Sequence, residues 1–92
     1  MARAKKLLAR MQRSLSGWGQ DDLHRLYTSY GFECREGGSH RFYTHPQFPQ
    51  LTAAVARHNS LAKGYVSDAV KILQLLAQWE DASQVTDDED AS

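Results

Sequence analysis

The sequence predicts an α+β domain in which helices pack on one face of a three-stranded antiparallel sheet. Two stretches near the N-terminus and one near the C-terminus repeat apolar residues at the spacing of amphipathic helices. Between them, in residues 32–57, the helical period gives way to short runs, the first with strict alternation of apolar and charged residues, separated by glycine and proline, which is typical of strands joined by turns. Strands that meander between helices favour an antiparallel sheet with one covered face and one free face.

The first helix is predicted over residues 3–15, with basic side chains around its apolar stripe. "SGWGQ" interrupts it, and Asp21 or Asp22 can begin the second helix because a carboxylate favours the positive helix end. Gly31 ends this second helix, since glycine readily adopts the left-handed conformation of a C-terminal cap. A third helix is expected from about Tyr65 through Trp79. The predicted apolar stripes are Leu7, Leu8, Met11 and Leu15; Leu23, Leu26, Tyr27 and Tyr30; and Val66, Ala69, Val70, Leu73, Leu76 and Ala77.

Three strands are predicted between the second and third helices. They are residues 32–36 ("FECRE"), 39–44 ("SHRFYT", ended by Pro46) and, more weakly, 51–57 ("LTAAVAR"). Gly37 and Gly38 are expected to form the first hairpin turn by accepting positive φ angles.

A chain of 92 residues has room for one small domain. We expect a basic amphipathic helix over residues 1–17, the main domain over 20–80 and an acidic, disordered tail over 81–92. No apolar run is long enough to span a membrane, and the basic N-terminus contains no secretory core. The chain has a single cysteine, Cys34, so it cannot form an internal disulfide. This cysteine use fits a reducing compartment, and a cytoplasmic location is expected. Cys34 itself is expected to pack in the core.

The formal net charge of +0 conceals an asymmetry along the chain. All 11 lysines and arginines lie at or before Lys71, whereas six of the 11 acidic residues follow Trp79. A basic body with an acidic tail suggests a polyanionic partner for the body, although a solubilising tail on a mildly basic domain would give the same pattern.

The stretch "GGSHRFYTHPQFP", residues 37–49, contains the residues best suited to chemistry. A histidine titrates near neutral pH, so His40 can accept and donate protons there. RNA supplies its own nucleophile, the 2′-hydroxyl, and a metal-free ribonuclease therefore needs a base, an acid and cations near the phosphate. The other interpretation is that Ser39 and His40 only satisfy backbone groups of the hairpin.

A metal site built from His40, His45 and His58 is the alternative chemistry. Positions 40 and 45 differ by an odd number, so in an extended strand their side chains point to opposite faces. No acidic residue lies nearby in the sequence to complete a ligand set. We therefore predict no metal and no other cofactor.

Two segments, "LHRLYTSYGFECREGGSHRFYTHP" and "LTAAVARHNSLAKGYVSDAVKILQLL", together resemble the HicA family of toxin–antitoxin ribonucleases. The shared pattern is a helix ending in Gly-Phe, a Gly-Ser-His turn, an aromatic strand ending near His-Pro, a third strand, a histidine-bearing loop and a final helix. It covers roughly residues 20–79, and its most specific element is Gly38-Ser39-His40.

This resemblance implies a fold like that of double-stranded-RNA-binding domains, α-β-β-β-α, here with an extra N-terminal helix. It implies the toxin of a type II toxin–antitoxin system: an mRNA-cleaving endoribonuclease with His40 as the catalytic histidine, neutralised by a HicB-type antitoxin that covers His40. Candidate RNA contacts are Ser39, Arg41, Arg57, His58 and Lys63, and His58 or His45 is the candidate acid for the leaving group.

The chain departs from the family pattern at two positions. Many members carry a second histidine where this chain has Arg41, which can hold a phosphate but cannot act as a base. The third strand runs into "VARHN", which keeps His58 but lacks the proline that often precedes this histidine.

The alternative functions are a non-catalytic RNA-binding module of the same fold and a protein-interaction adaptor. Period-two alternation places His40 on the face of Phe42, so a core position for Phe42 would restrict His40 to the strand end.

Overall fold

The computed structural model describes the backbone of residues 2–91 and the side chains of residues 5–82. It confirms the predicted α+β class and the order helix, helix, three strands, helix. The elements are α1 (Ala2–Arg13), α2 (Gln20–Ser29), β1 (Glu33–Glu36), β2 (His40–Thr44), β3 (Thr52–Ala56) and α3 (Lys63–Ala91).

The three strands form an antiparallel sheet in the order β1-β2-β3. In the register, Cys34 lies opposite Tyr43 and Tyr43 opposite Ala53, whereas Arg35 lies opposite Phe42 and Phe42 opposite Ala54. Tyr43 is fully buried and Phe42 is 40% exposed. Because neighbouring residues on a strand point to opposite faces, the row through Tyr43 faces the helices and the row through Phe42 forms the open face of the sheet.

The hydrophobic core lies between the helices and the helix-facing row of the sheet. Met11 of α1 is fully buried, so the N-terminal helix packs on the domain, against α2 and α3. Tyr27 stacks on Tyr43 with ring centroids 4.8 Å apart, which joins α2 to the central strand. The buried side chains confirm the predicted helix stripes except at Ala77, which is exposed; they include Leu23, Leu26 and Tyr27 on α2 and Val66, Ala69, Leu73 and Leu76 on α3.

The β1–β2 turn needs glycine for a steric reason and not for the positive φ angles that were predicted. Among the described residues only Gly17 and Gly31 have positive φ. A Cβ atom on Gly37 would instead lie 2.5 Å from the Phe42 ring and 2.9 Å from the carbonyl oxygen of His40. Gly37 therefore lets the turn close against the two residues that begin the open face.

Helix α3 is longer than predicted. Disorder was expected over residues 81–92, whereas the helix continues to Ala91, and residue 92 lies outside the described residues. The segment after Trp79 contains no glycine or proline to end the helix, and Glu, Ala and Gln favour its continuation. No helix among the described residues has the length and apolar character required to cross a membrane.

Candidate functional site

His40 is the first residue of β2, and its side chain belongs to the open face. It lies opposite Ala56 of β3 and two residues before Phe42, on the same side of the strand. Phe42 is exposed and not part of the core. The restriction considered for His40 therefore does not apply, because the face that His40 shares with Phe42 is the one turned away from the helices.

Ser39 holds the His40 ring. Its hydroxyl oxygen lies 3.0 Å from Nδ1 of His40, in an exposed contact between adjacent residues. This hydrogen bond engages Nδ1 and, within the described part of the chain, leaves Nε2 to meet a ligand. When Nδ1–H donates to the serine oxygen, Nε2 carries the lone pair that a general base requires.

Arg41 and Arg57 lie behind the hairpin turn and not beside the His40 ring. Glu36 accepts hydrogen bonds from both: Nε of Arg41 lies 3.1 Å from one carboxylate oxygen, and Nη2 of Arg57 lies 2.9 Å from the other. Arg57 also donates to the carbonyl of Gly37 at 3.1 Å, and Arg41 approaches Asp21 at 3.8 Å. Because Arg41 points to the helix-facing side, it stabilises the turn that carries His40 from the opposite face of the sheet.

The three other residues predicted for the site occupy different places. His58 is exposed in the loop after β3, two residues beyond the partner of His40. Lys63 is the exposed first residue of α3. His45 lies beyond the far end of β2, about 16 Å along an extended chain from His40.

His45 is a buried packing residue, only 4% exposed. Its ring meets Phe32 edge to face with centroids 5.1 Å apart and lies 5.4 Å from Phe48, and its Nδ1 accepts a hydrogen bond from the backbone of Gln47 at 3.1 Å. The structure therefore groups Ser39, His40 and His58 at one end of the sheet and separates His45 from them.

Sequence reasoning missed one residue of the open face. Arg35 of β1 lies directly opposite Phe42 and on the same face as His40, and its side chain is exposed. Glu33, Arg35, Phe42 and Thr44 line a shallow depression of about 520 Å³ together with Cys34. The signal that could have found Arg35 is the hairpin register, since a turn centred on residues 38–39 places residue 35 against residue 42.

The loop that carries His58 is fixed to the start of α2. The backbone N–H of Gln20 donates to the carbonyl of His58 at 2.9 Å, and the N–H of Leu61 donates to the carbonyl of Trp18 at 2.8 Å. A Cβ on Gly19 would collide with the carbonyl oxygen of Asn59. Glycine at position 19 is therefore what allows the His58 loop to close against α2.

His24 of α2 is a second residue that sequence reasoning did not single out. Its Nδ1 lies 2.9 Å from the hydroxyl of Tyr43, on the helix-facing side of the sheet.

Within the described residues, no group of three or more His, Cys, Asp or Glu side chains is arranged to hold a metal ion.

The chain was compared with protein-family models, with curated proteins and with solved structures, and none of them matches it.

Proposed function

We propose that this chain is a HicA-like toxin of a type II toxin–antitoxin system, a cytoplasmic, metal-independent endoribonuclease that cleaves mRNA. The observation that carries the proposal is the position of His40: its ring stands on the open sheet face, Nδ1 is held by Ser39 at 3.0 Å, and an exposed aromatic ring lies two residues away. An antitoxin of the HicB type would neutralise it by covering this face.

In the proposed reaction, Nε2 of His40 removes the proton from a 2′-hydroxyl of the RNA. The 2′-oxygen attacks the adjacent phosphorus, and the bond from phosphorus to the 5′-oxygen of the next nucleotide breaks. The products are a 2′,3′-cyclic phosphate and a 5′-hydroxyl end. The leaving oxygen takes its proton from His58, which we prefer to His45 because His58 is exposed at the His40 end of the sheet whereas His45 is buried at the other.

RNA binding is assigned to side chains on the face of His40. The guanidinium of Arg35 would pair with a phosphate, and the ring of Phe42 offers a surface on which a base can stack. Lys63 and the backbone of the turn at Ser39 add contacts at the edge. Arg41 and Arg57 support the turn through Glu36 in this proposal and do not contact the scissile phosphate.

The experiment that tests the proposal is an RNA cleavage assay in EDTA with the wild type, His40→Ala and His24→Ala. His24 is the matched control, because it is a partly exposed histidine on the helical side of the sheet. We expect cleavage by the wild type and by His24→Ala, and a loss of at least about a hundredfold in His40→Ala. Analysis of the wild-type product should show the cyclic phosphate.

Two results would contradict the proposal. Cleavage that persists in His40→Ala would show that another group is the base. RNA that is bound through Arg35 and Phe42 but not cleaved by any of the proteins would identify the alternative, a non-catalytic RNA-binding module.

A separate test excludes the third function. Growth arrest on expression, relieved by His40→Ala, would exclude the protein-interaction adaptor.

A further inference from the structure

The free edge of β3 has backbone hydrogen-bonding groups that no other described strand pairs. Arg57 N–H donates to the carbonyl of Ser39, and His45 N–H donates to the carbonyl of Leu51. Since hydrogen-bonded pairs alternate along an antiparallel ladder, the odd-numbered residues of β3 bond to β2. Thr52 and Ala54 therefore direct their N–H and C=O groups outward, where they have no backbone partner in the described part of the chain.

The two edges of the sheet differ in how they are protected. Three of the four residues of β1 are charged (Glu33, Arg35 and Glu36), whereas β3, Thr52–Ala56, contains no charged residue. Charged side chains on an edge strand discourage a further strand from pairing with it. The composition therefore blocks addition at β1 and permits it at β3.

A groove of about 380 Å³ runs between β3 and α3 beside this edge. Its α3 side is lined by Tyr65, Asp68, Lys71 and Ile72. Helix α3 runs antiparallel to β3, because it starts after the loop that follows Ala56 and its Trp79 packs on Phe48, which precedes β3. The groove thus combines unpaired backbone groups, apolar side chains and one residue of each charge.

We propose that the occupant of this edge is a second copy of the chain, paired antiparallel along β3 about a two-fold axis at Ala54. In this register Ala54 faces Ala54 and exchanges both backbone hydrogen bonds with it. Thr52 faces Ala56 of the second copy, whose carbonyl already accepts a hydrogen bond from the N–H of His58 at 2.9 Å, so the new ladder is short and centred on Ala54. The two α3 helices run antiparallel on the same side, so that Asp68 of each copy approaches Lys71 of the other. The negative and positive side chains of one groove therefore meet the oppositely charged side chains of the other groove, as a two-fold interface between identical surfaces requires.

The pairing joins the two sheets into one sheet of six strands with both open faces on the same side. Strand spacing of about 4.8 Å and a rise of about 3.3 Å per residue place the two His40 residues about 20 Å apart on that side. If the proposed ribonuclease function holds, one RNA strand can reach both sites of a dimer. The dimer itself does not depend on that function.

The first test is the mass of the full chain in solution, measured without RNA by light scattering over a range of concentrations. Ala54→Pro removes an outward N–H but none that bonds to β2, and proline is tolerated at such edge positions. Ala54→Thr keeps the N–H and is the matched control. We expect Ala54→Pro to raise the dimer dissociation constant by at least about tenfold and Ala54→Thr to change it by less than about threefold.

The second test uses charge reversal and does not rely on the proline variant. Lys71→Glu alone and Asp68→Lys alone each place like charges opposite one another in the dimer, so both should be monomeric. Mixed in equal amounts, they restore both ion pairs, and we expect a heterodimer. A wild type that stays monomeric up to about 1 mM, or a mixture that fails to dimerise although both variants are folded, would overturn the proposal.

These masses are independent of catalysis, so a failed dimer test leaves the assignment of His40 unaffected. A wild-type dimer that neither Ala54→Pro nor the charge reversals disturb would also overturn the proposal, since it would place the interface elsewhere. A protein that stays monomeric but binds an extended peptide of another protein along β3 would overturn the proposal as well. The edge would then pair with a strand of a different protein and not with a second copy of the chain.

Discussion

Nδ1 of His24 lies 2.9 Å from the hydroxyl of Tyr43, a hydrogen-bond distance that joins α2 to the central strand. Tyr43 is fully buried, and its ring also stacks on Tyr27. Burial raises the pKa of Tyr43 to about 12, with the Cys34 thiol adding to the effect, and burial raises the pKa of Tyr27 further still. The folded protein therefore holds both phenolic protons more tightly than the unfolded chain does.

Stability should fall at alkaline pH, and Tyr43→Phe should weaken this dependence. A raised pKa in the folded state stabilises the fold fully below the unfolded value of 10.0, and this stabilisation is lost as the pH rises through about 12. In this window Tyr43 contributes a decrease of about 1.4 kcal/mol per pH unit to the free energy of unfolding. Urea denaturation followed by circular dichroism at about pH 9–12 measures the slope for each protein. Equal slopes for the wild type and Tyr43→Phe would contradict the assignment.

Ser39→Ala should slow the RNA cleavage proposed above without unfolding the domain. Loss of the hydroxyl at 3.0 Å frees the His40 ring to rotate, and one hydrogen bond of about 1–1.5 kcal/mol corresponds to a decrease of about tenfold in kcat/KM. Ser39 is exposed, so the free energy of unfolding should change by less than about 0.5 kcal/mol. Ser39→Thr keeps a hydroxyl and should retain most of the activity. If Ser39→Thr cleaves RNA as slowly as Ser39→Ala, the hydroxyl of Ser39 does not orient the His40 ring.

His45 and His58 should respond to substitution in opposite ways. His45→Ala leaves a cavity between Phe32 and Phe48 and should cost about 2–4 kcal/mol in stability, while the fraction that stays folded still cleaves RNA. His58→Ala should leave stability unchanged and decrease cleavage by about a hundredfold. Thermal unfolding and the cleavage assay, run on both variants, measure the contrast.

The role proposed for His58, general acid for the leaving group, can be checked with a uridine 3′-phosphate ester of nitrophenol. This leaving group departs without a proton, so the defect of His58→Ala should disappear on this substrate while that of His40→Ala remains. An equal defect of His58→Ala on both substrates would exclude it as the general acid.

Gly19→Ala should destabilise the protein by about 2 kcal/mol or more, because the new methyl group would collide with the carbonyl of Asn59. Gly64→Ala is the matched control: it lies in α3, where an added methyl group would meet nothing within 4 Å, and alanine should stabilise the helix by up to about 1 kcal/mol. Thermal unfolding of both variants measures the difference. We also expect Gly19→Ala to lower cleavage, since Asn59 belongs to the loop of His58. A Gly19→Ala protein as stable as the wild type would show that the loop moves freely away from α2.

The element order and the helix stripes could be predicted because both depend on local periodicity. The orientation of β2 could not, since aromatic residues occupy both of its faces and either Phe42 or Tyr43 could have been the core residue. Long-range pairing decides between them: Tyr43 lies opposite Cys34 and Ala53 and stacks on α2. Arg35 was missed for the same reason, because its place beside Phe42 follows from the register. The separation of His45 from the site depends on the packing of Phe32 and Phe48, which are distant from each other in the sequence.

The position of Tyr43 constrains how the chain can change in length. Tyr43 is anchored on the helix-facing side, and His40, three residues earlier, is on the open face because three is odd. Insertion or deletion of one residue between them would keep Tyr43 buried and turn the histidine toward the helices. Only changes by an even number preserve its exposure. Homologous sequences aligned to this chain should therefore show no insertion or deletion of a single residue between the turn histidine and the buried tyrosine.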